Sequence, residues 1–404
     1  MTAYWRAEAL LTPEARLSPG IVGMADDGTV AYAGASLPVD ADPEAVRDLP
    51  AGSRIIPGLI DIHTHGGTGI TFGRGEDCVG DLHTYSAWVA STGVTGFLCS
   101  LAAPDAETLL ARVHTYVDAF EAGGFSGAVP LGLHLEGPYL NPEKRGAFNE
   151  TWLRSPLLDE VEGLIEAGRG WIRQVTLAPE LPGAFEVAER LGKVGIVAAL
   201  GHSNTDYVEA ARALRGPFRH VTHAYNAQRG FHHRRPGVLG AVLTSDGVTA
   251  ELIADTVHVH PAAMQVLLRC LGPDRVILIT DAMAGAGLGD GHYELTGHDV
   301  WVKDGEARQA DGTLAGSVAT LDLCVRNAVD HVGVSLLEAV RMATSNPARV
   351  LSMGRRQGLI AKGVPANLVV LDEALRVMLT TVQGRVVYRA PDVTFAGYPD
   401  KRED

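Results

Sequence analysis

Basic charge, cysteine and long hydrophobic runs are all scarce in this chain of 404 residues. The 48 acidic residues outnumber the 34 basic ones, and the resulting net charge of −14 argues against nucleic acid or an anionic membrane as a partner. No stretch approaches the roughly 18 uninterrupted apolar residues that a membrane span needs. The N-terminus also lacks a basic region followed by an apolar core. We therefore expect no membrane segment, no secretory signal and a cytoplasmic location.

The four cysteines, Cys78, Cys99, Cys270 and Cys324, are scattered along the chain. No CxxC spacing indicates a metal site or a redox pair. Because cytosolic thiols stay reduced, the sequence predicts four free thiols buried in the core.

Eight apolar runs, separated by segments of helical periodicity, dominate the chain from Ile55 to about Asp281. Strands that are buried on both faces of a parallel sheet read as continuous apolar runs. Eight such strand–helix units favour a closed (β/α)8 barrel over an open doubly wound sheet. The runs are IIPGLIDI, VTGFLCSL, VPLGLHLE, IRQVTLAP, GIVAALG, RHVTHAY, TAELIAD and RVILITD.

The segments on either side of this pattern read as β structure. Residues 1–54 contain alternating apolar positions broken by Pro-Gly and Asp-Gly turns. After the eighth run come a glycine-rich excursion with hairpin character, two helical segments and a strand-like tail. We expect an α/β protein with a TIM-like barrel over residues 55–355 and a small β-sandwich domain built from residues 1–54 and 356–404.

Metal-binding and acidic side chains follow the apolar runs where the predicted strands end. His63 and His65 close the first run and, being two apart on a strand, point the same way. Glu136 closes the third run, and a carboxylate beside histidines can bind or bridge metal ions. His134, two residues earlier, is expected to be a hydrogen-bonded residue inside the barrel and not a ligand.

The fifth, sixth and eighth runs end in the same way. His202 and His223 supply two nitrogens that, with Glu136, leave a position for water, which is the usual layout of a catalytic zinc site. Asp281 closes the eighth run, and a carboxylate beside such a site is suited to moving a proton. Barrel enzymes carry their chemistry at the carboxyl ends of the strands. The sequence therefore predicts a metal-dependent hydrolase with Asp281 as its catalytic acid/base.

The motifs around these residues resemble the amidohydrolase superfamily and, within it, the N-acetylglucosamine-6-phosphate deacetylases. PGLIDIHTHGG is typical of the superfamily, whereas LEGP, GHS, THAYNA and HHRRPG together are typical of the deacetylases. The resemblance implies hydrolysis of the acetamide of N-acetyl-D-glucosamine 6-phosphate to D-glucosamine 6-phosphate and acetate, in amino-sugar catabolism or cell-wall recycling. It also implies a homodimer.

The same resemblance implies a divalent cofactor, with Zn²⁺ the first expectation and Fe²⁺ the alternative. One ion is held by Glu136, His202 and His223. Some members hold a second ion through the HxH pair, here His63 and His65, with the glutamate as the bridge, so one ion and two per chain are both compatible. The positions that match substrate contacts are Ala147, Asn226, Ala227, Arg234, His258, Leu314, Ala315 and Gly316.

A basic cluster follows the sixth run, although the chain as a whole is acidic. Its members are Arg229, His232, His233, Arg234 and Arg235. Because the cluster comes directly after the strand that bears His223, we expect it to bind an anion. Arg234 is expected to hold the substrate phosphate, in its own subunit's site or in a neighbour's.

Three alternatives stay open. The first is a deacetylase for N-acetylgalactosamine 6-phosphate or another N-acetyl amino sugar; Gln228 and Thr256 depart from residues common in the family and can alter which sugar is preferred. The second is an amidohydrolase that opens a cyclic amide or deaminates a base. It leaves the basic cluster without a role, and QVTLAPE has no lysine to bridge two metal ions. The third is a non-catalytic barrel, which should have lost a ligand or the acid/base.

Overall fold

The computed structural model describes residues 3–39, 41–75, 77–391 and 393. Short strands come first, as the alternating pattern of the N-terminal segment predicts. They are β1 (Ala3–Ala7), β2 (Ala9–Leu11), β3 (Arg16–Leu17), β4 (Gly20–Met24), β5 (Val30–Gly34), β6 (Val46–Asp48) and β7 (Arg54–Pro57).

An eight-stranded parallel sheet follows, and its strands lie side by side in the order of the chain. Its first strand is β8 (Leu59–Thr64), which leads into a small hairpin, β9 (Gly66–Gly67) and β10 (Ile70–Thr71). The other seven are β11 (Val94–Leu101), β12 (Val129–Glu136), β13 (Ile172–Leu177), β14 (Val197–Leu200), β15 (His220–Val221), β16 (Thr249–Ile253) and β17 (Val276–Ile279).

Backbone hydrogen bonds join the last strand of this sheet to the first. Asp281 N donates to His63 O over 2.9 Å, and His65 N donates to Ala282 O over 2.8 Å. These bonds close the sheet into the predicted (β/α)8 barrel. They also bring the ends of β8 and β17, which are more than 200 residues apart in sequence, to the same face.

Helices cover the outside of the barrel. Aspartates begin several of them: Asp105 Oδ1 accepts from Thr108 N over 2.8 Å, and Asp206 Oδ1 accepts from Glu209 N over 3.0 Å. The helices are α1 (Cys78–Val89), α2 (Ala106–Ala122), α3 (Leu158–Gly168), α4 (Ala184–Lys193), α5 (Tyr207–Arg215), α6 (Gly237–Leu243), α7 (Pro261–Leu271), α8 (Leu321–Asn327), α9 (Leu336–Met342) and α10 (Ser345–Val350). Among the described residues, no helix combines the length and the apolar character that crossing a membrane requires.

The excursion after the eighth strand forms the hairpin structure expected of it. Its strands are β18 (Gly291–Leu295), β19 (His298–Lys303) and β20 (Glu306–Arg308), and they pair in an antiparallel sheet. The tail adds β21 (Leu368–Leu371), β22 (Val377–Val382) and β23 (Arg385–Arg389).

The two ends of the chain meet outside the barrel. Strands β1, β4, β5 and β6 form one sheet, and β2, β3 and β7 join the three C-terminal strands in another. One apolar core takes Trp5 and Val22 from the first sheet and Ile55 and Leu379 from the second. This packing agrees with the expected β-sandwich. The division into residues 1–54 with 356–404 and residues 55–355 stays a prediction, and residues 394–404 lie outside the described part.

The first apolar run is predicted to be one strand, but it forms two strands. Strand β7 pairs with β21, whereas β8 begins the barrel. Gly58 lies between them, where a Cβ would come within 2.1 Å of Thr95 Oγ1. Both strands are buried, so hydrophobicity alone does not show where one ends and the other begins.

The prediction of four buried thiols is only partly right. All four cysteines are free, and Cys99 and Cys324 are buried, but Cys78 is half-buried and Cys270 is exposed. The last of these lies on the solvent side of α7, whose buried residues are Met264, Leu267 and Leu271.

Candidate metal centre

The residues that end the barrel strands lie together at one face of the barrel. Three of them, His202, His223 and Asp281, each come two residues after a strand and have positive φ angles of 49°, 25° and 49°. Residues other than glycine rarely adopt this left-handed region, and such strain collects at functional sites. The sharp turns leave all three side chains buried at the mouth of the barrel.

Glu136 lies at the centre of this group, between two pairs of imidazoles. Its Oε1 is 3.1 Å from His202 Nε2 and 2.9 Å from His223 Nε2. Its Oε2 is 2.8 Å from His65 Nε2 and 3.4 Å from His63 Nε2. One carboxylate therefore faces a different histidine pair with each oxygen, which is the arrangement of a bridging ligand.

Asp281 completes the cluster on the side of the HxH pair. Its Oδ1 lies 3.3 Å from His65 Nε2 and 3.4 Å from His63 Nε2. The potential ligand atoms form two groups that share the glutamate, and within each group they lie within 4.8 Å of one another. We call them the first group (His63, His65, Glu136, Asp281) and the second group (Glu136, His202, His223).

The polar atoms of both groups fit a divalent cation. In the first group, His63 Nε2 is buried and has no hydrogen-bond partner among the described residues, although buried polar atoms are nearly always paired. In the second group, His202 Nε2 and His223 Nε2 are only 3.0 Å apart. His202 Nδ1 lies 2.8 Å from the carbonyl oxygen of Lys144, so that Nδ1 carries the proton and Nε2 keeps its lone pair. Nitrogen and oxygen donors of this kind suit zinc and iron.

In the absence of a cation, the carboxylates and imidazoles of the cluster shift one another's pKa values. Burial raises the pKa of Glu136, but the surrounding histidines, His63 foremost, hold it well below its usual value. Asp281 is buried too, and His63 and His65 lower its pKa. Burial opposes protonation of His65, yet Asp281 and Glu136 raise its pKa to about 9. The carboxylates are therefore ionised at neutral pH, and a cation has to displace protons from the imidazoles.

Two buried carboxylates beneath the cluster were missed by reasoning from the sequence. Glu251, on β16, lies 2.9 Å from His63 Nδ1. Asp61, on β8, accepts from Thr280 Oγ1 over 2.6 Å. Burial raises the pKa of Asp61 to about 6, and the hydrogen bond from Thr280 opposes that rise. The available signal was a lone acidic residue inside an apolar run, in TAELIAD and GLIDI.

His134 has the non-ligand place expected of it. Its Nδ1 lies 2.9 Å from Ser100 Oγ and its Nε2 lies 2.8 Å from Thr176 Oγ1, so both ring nitrogens are used inside the barrel. Burial lowers the pKa of His134 well below its usual value, with the charge of His63 adding to the effect. A neutral ring in this place supports the cluster from below.

A cavity of about 230 Å³ opens directly above the ligand groups. Six of the predicted substrate contacts line it: Ala147, Asn226, Ala227, His258, Leu314 and Gly316. Its wall also contains residues that were not predicted: Gly146, Phe148, Leu295, Thr296 and Thr313.

Two predicted contacts are absent from the cavity wall. Ala315 is fully buried and packs in the apolar core with Met283 and Leu295, because Gly316, at φ 64°, turns the chain there. Arg234 is exposed on the loop before α6, and its Nη1 lies 2.8 Å from His233 Nε2. A contact between Arg234 and a ligand in this cavity therefore requires movement of the loop or a second chain.

His258 reaches the cavity with its ring fixed by a neighbour. Its Nδ1 lies 2.6 Å from Asp255 Oδ2, and both side chains are buried. Burial opposes the charged form of His258, but the bond to Asp255 raises its pKa. Thr256, between them, has a φ of 68°. Asp255 thus leaves His258 Nε2 free to face the cavity.

A closed (β/α)8 barrel with histidines and carboxylates gathered at the carboxyl ends of its strands defines a class of metal-dependent hydrolases. The model of the amidohydrolase family matches residues 54–397. The chain belongs to this family, which is metal-dependent.

Relatives with named activities span nearly the whole chain. It is 36% identical to the N-acetylgalactosamine-6-phosphate deacetylase of Escherichia coli over 96% of this chain and 99% of that protein. It is 33% identical to the N-acetylglucosamine-6-phosphate deacetylase of Bacillus subtilis over 94% and 96% of the two chains. The N-acetyl-D-glucosamine-6-phosphate deacetylase of Mycobacterium smegmatis, solved as a mutant in complex with N-acetyl-D-glucosamine-6-phosphate, superposes with a TM-score of 0.88 at 35% identity, covering 96% and 99% of the two chains.

Proposed function

We propose that this protein hydrolyses the acetamide of N-acetyl-D-glucosamine 6-phosphate to D-glucosamine 6-phosphate and acetate. The observation that carries the proposal is the position of Glu136 between two imidazole pairs, with Asp281 beside it, at the floor of the cavity. The relatives named above act on sugar phosphates of this kind, and one neighbour was solved with this sugar phosphate bound.

The cofactor we propose is a divalent cation, Zn²⁺ or Fe²⁺, held by the two ligand groups. Because the groups share Glu136, the arrangement supports two ions per chain, one in each group. When bound, such an ion supplies Lewis acidity toward a water nucleophile and an amide carbonyl.

The chemistry of the chain itself centres on Asp281. Its lowered pKa keeps the carboxylate ionised at neutral pH, so that it can take a proton from the attacking water. Water adds its hydroxyl group to the acetamide carbon, the carbon–nitrogen bond breaks, and Asp281 returns the proton to the departing nitrogen. Without that proton the amine is a very poor leaving group. The products are acetate and a free amine.

Substrate binding is assigned to the cavity wall and to the basic cluster. His258, whose Nδ1 is held by Asp255, lines the cavity and can offer Nε2 to a hydroxyl or phosphate oxygen. Asn226 and Ala227, which follow His223 in the chain, line the same cavity. Arg234 is assigned to the phosphate, where a guanidinium makes charge-assisted and bidentate bonds. Its exposed position favours delivery from a second subunit of a homodimer.

A second candidate substrate is N-acetylgalactosamine 6-phosphate. The observation that favours it is the identity of 36%, over 96% of the chain, to a deacetylase named for that sugar. The two substrates differ only in the configuration of one hydroxyl group. Kinetic comparison of the two sugar phosphates, as kcat/KM under the same conditions, decides between them.

Acetate release tests the proposal directly. We expect the zinc-loaded protein to release acetate from N-acetyl-D-glucosamine 6-phosphate far faster than from unphosphorylated N-acetylglucosamine. Asp281→Asn is the control for contaminating deacetylase and should release acetate at least about 100-fold more slowly. If the metal-loaded protein released acetate from neither of the two sugar phosphates, the proposal would be contradicted.

A further inference from the structure

Glu251 is a fully buried carboxylate whose two oxygens are saturated by protein donors. Its Oε2 lies 2.9 Å from His63 Nδ1 and 3.1 Å from the backbone nitrogen of His223. Its Oε1 accepts from Gln174 Nε2 over 2.7 Å and lies 3.0 Å from His220 Nε2. Four contacts use the acceptor capacity of a carboxylate, so Glu251 has no lone pair left for a metal ion or a substrate.

The contact with His63 decides which nitrogen of that ring is free. An ionised carboxylate only accepts hydrogen bonds, so His63 Nδ1 must carry the proton that it donates to Glu251. In the neutral ring the lone pair then lies on Nε2, which has no hydrogen-bond partner among the described residues and lies 3.4 Å from Glu136 Oε2 and from Asp281 Oδ1. Glu251 therefore holds His63 in the tautomer that binds a metal ion.

The contact with His223 reaches the other ligand group. His223 has a φ of 25°, a strained value for a residue other than glycine, and its backbone nitrogen donates to the same oxygen that accepts from His63. A single carboxylate oxygen thus fixes the side chain of one ligand and the backbone of another. These two ligands come from β8 and from the turn after β15, on different parts of the barrel wall.

We propose that Glu251 is the positioning residue that gives the first ligand group its affinity for a cation and ties its geometry to the second group. This inference rests on the metal-dependent function proposed above. Loss of a carboxylate that orients a metal-bound histidine weakens metal binding about 10- to 100-fold. We expect a loss of that size in the first group. The second group should change less, because its imidazoles make no contact with the Glu251 side chain.

Glu251→Gln is the decisive variant, since it removes the charge and keeps the shape. The amide oxygen can still accept from His63 and His223, and the new NH2 group then faces both Gln174 and His220 Nε2. His220 Nε2 can accept from it when the ring proton moves to Nδ1, which lies 2.7 Å from Thr249 Oγ1. Gln174 Oε1 has no partner among the described residues, so a rotation of that amide provides an acceptor. Gln174→Met is the matched control: it removes a donor to Glu251 from the same barrel interior but touches neither ligand group.

The experiment measures Zn²⁺ binding to metal-stripped protein by equilibrium dialysis and elemental analysis, with no substrate present. We expect two Zn²⁺ per chain for the unaltered protein and for Gln174→Met. For Glu251→Gln we expect one tight site and one site weakened about 10- to 100-fold. Nitrogen-15 NMR of labelled histidines in the zinc-loaded protein should also show His63 protonated at Nδ1, with a shifted Nδ1 signal in Glu251→Gln because the acceptor has lost its charge.

A double-mutant cycle separates positioning from a merely structural role. If Glu251 acts through His63, then adding Glu251→Gln to His63→Gln should cost little further zinc affinity, whereas a general weakening of the barrel would add its full effect. Glu251→Asp keeps the charge but shortens the side chain, so it should retain more zinc than Glu251→Gln. If Glu251→Gln does not fold, Glu251→Asp takes its place in the double-mutant cycle.

Zinc affinity in Glu251→Gln equal to that of Gln174→Met would overturn the proposal, as would fully additive losses in the cycle. Acetate release by the unaltered protein would leave the proposed function standing in either case. If the unaltered protein bound two Zn²⁺ per chain but released no acetate, the proposed function would be wrong. The double-mutant cycle of Glu251 and His63 would still decide the role of Glu251. An unaltered protein that binds neither Zn²⁺ nor Fe²⁺ would overturn both.

Discussion

The replacement Asp281→Asn tests the proton-transfer step most sharply. Asparagine has nearly the shape of aspartate, and its side-chain oxygen can still face His63 and His65, which lie 3.4 and 3.3 Å from Asp281 Oδ1. The change therefore removes the group that takes and returns the proton while keeping an oxygen donor in the first ligand group. We expect metal to be retained at saturating Zn²⁺.

The expected magnitude follows from the role of the carboxylate. General acid–base catalysis contributes about 10²- to 10⁴-fold to the rate, which corresponds to about 2.7–5.4 kcal/mol of transition-state stabilisation. The pKa of Asp281 is lowered by His63 and His65 against the effect of burial, so the carboxylate is fully available at neutral pH and the whole factor is at stake. KM should change little, because the same cavity wall holds the sugar phosphate.

The assay follows acetate release from N-acetyl-D-glucosamine 6-phosphate at saturating substrate, with the metal content of each sample measured in parallel. A fall in kcat of at least about 100-fold at unchanged metal content is the result expected. A variant that keeps kcat within a few-fold of the unaltered enzyme would refute the role of Asp281, and another group would have to carry the proton.

Further variants test the remaining parts of the site. Glu136→Gln should weaken zinc binding in both ligand groups by more than about 100-fold, since even losing a residue that only orients a ligand costs about 10- to 100-fold; two tight sites by elemental analysis would contradict its bridging position. Arg234→Ala should raise KM for the phosphorylated sugar more than about tenfold and hardly affect the unphosphorylated one, and equal effects on both would remove Arg234 from phosphate binding. Asp255→Asn loses a charge-assisted hydrogen bond to His258 worth about 1.5–3 kcal/mol, so we expect a higher KM for the sugar phosphate at unchanged metal content. An unchanged KM would contradict the assignment of His258 to substrate binding. The pKa of His65 without a cation is raised to about 9, and, although burial opposes it, the neighbouring carboxylates raise the pKa of His63 in the same group as well. Zinc affinity in the first group should therefore fall at least about tenfold for each pH unit below 9, with proton release visible by calorimetry in two buffers; affinity independent of pH would contradict the protonated rings.

The barrel and the ends of its strands are predictable because their signals are local. Each strand is a short apolar run, each connecting helix repeats with its own period, and closure places the ends of all eight strands at one face. His63, Glu136 and Asp281 are brought together by topology alone, which the alternation of strands and helices already implies.

The supporting residues are not predictable in the same way. Glu251 is one acidic residue in an apolar strand, and its partners come from β8, β13 and the segment around β15, so their meeting depends on the register of the closed sheet. Local sequence also does not show which way a side chain turns. Ala315 points into the core and Arg234 points to solvent, although both belong to motifs that resemble substrate-binding positions.

Titration of the metal-stripped protein with Zn²⁺, and separately with Fe²⁺, while acetate release from N-acetyl-D-glucosamine 6-phosphate is followed, tests the central claim most directly. Acetate release should be absent from the stripped protein, rise with the metal bound per chain and reach a plateau when the groups around Glu136 are filled. Full activity in the stripped protein, or none in the loaded protein, would contradict the assignment of this cluster as the hydrolytic centre.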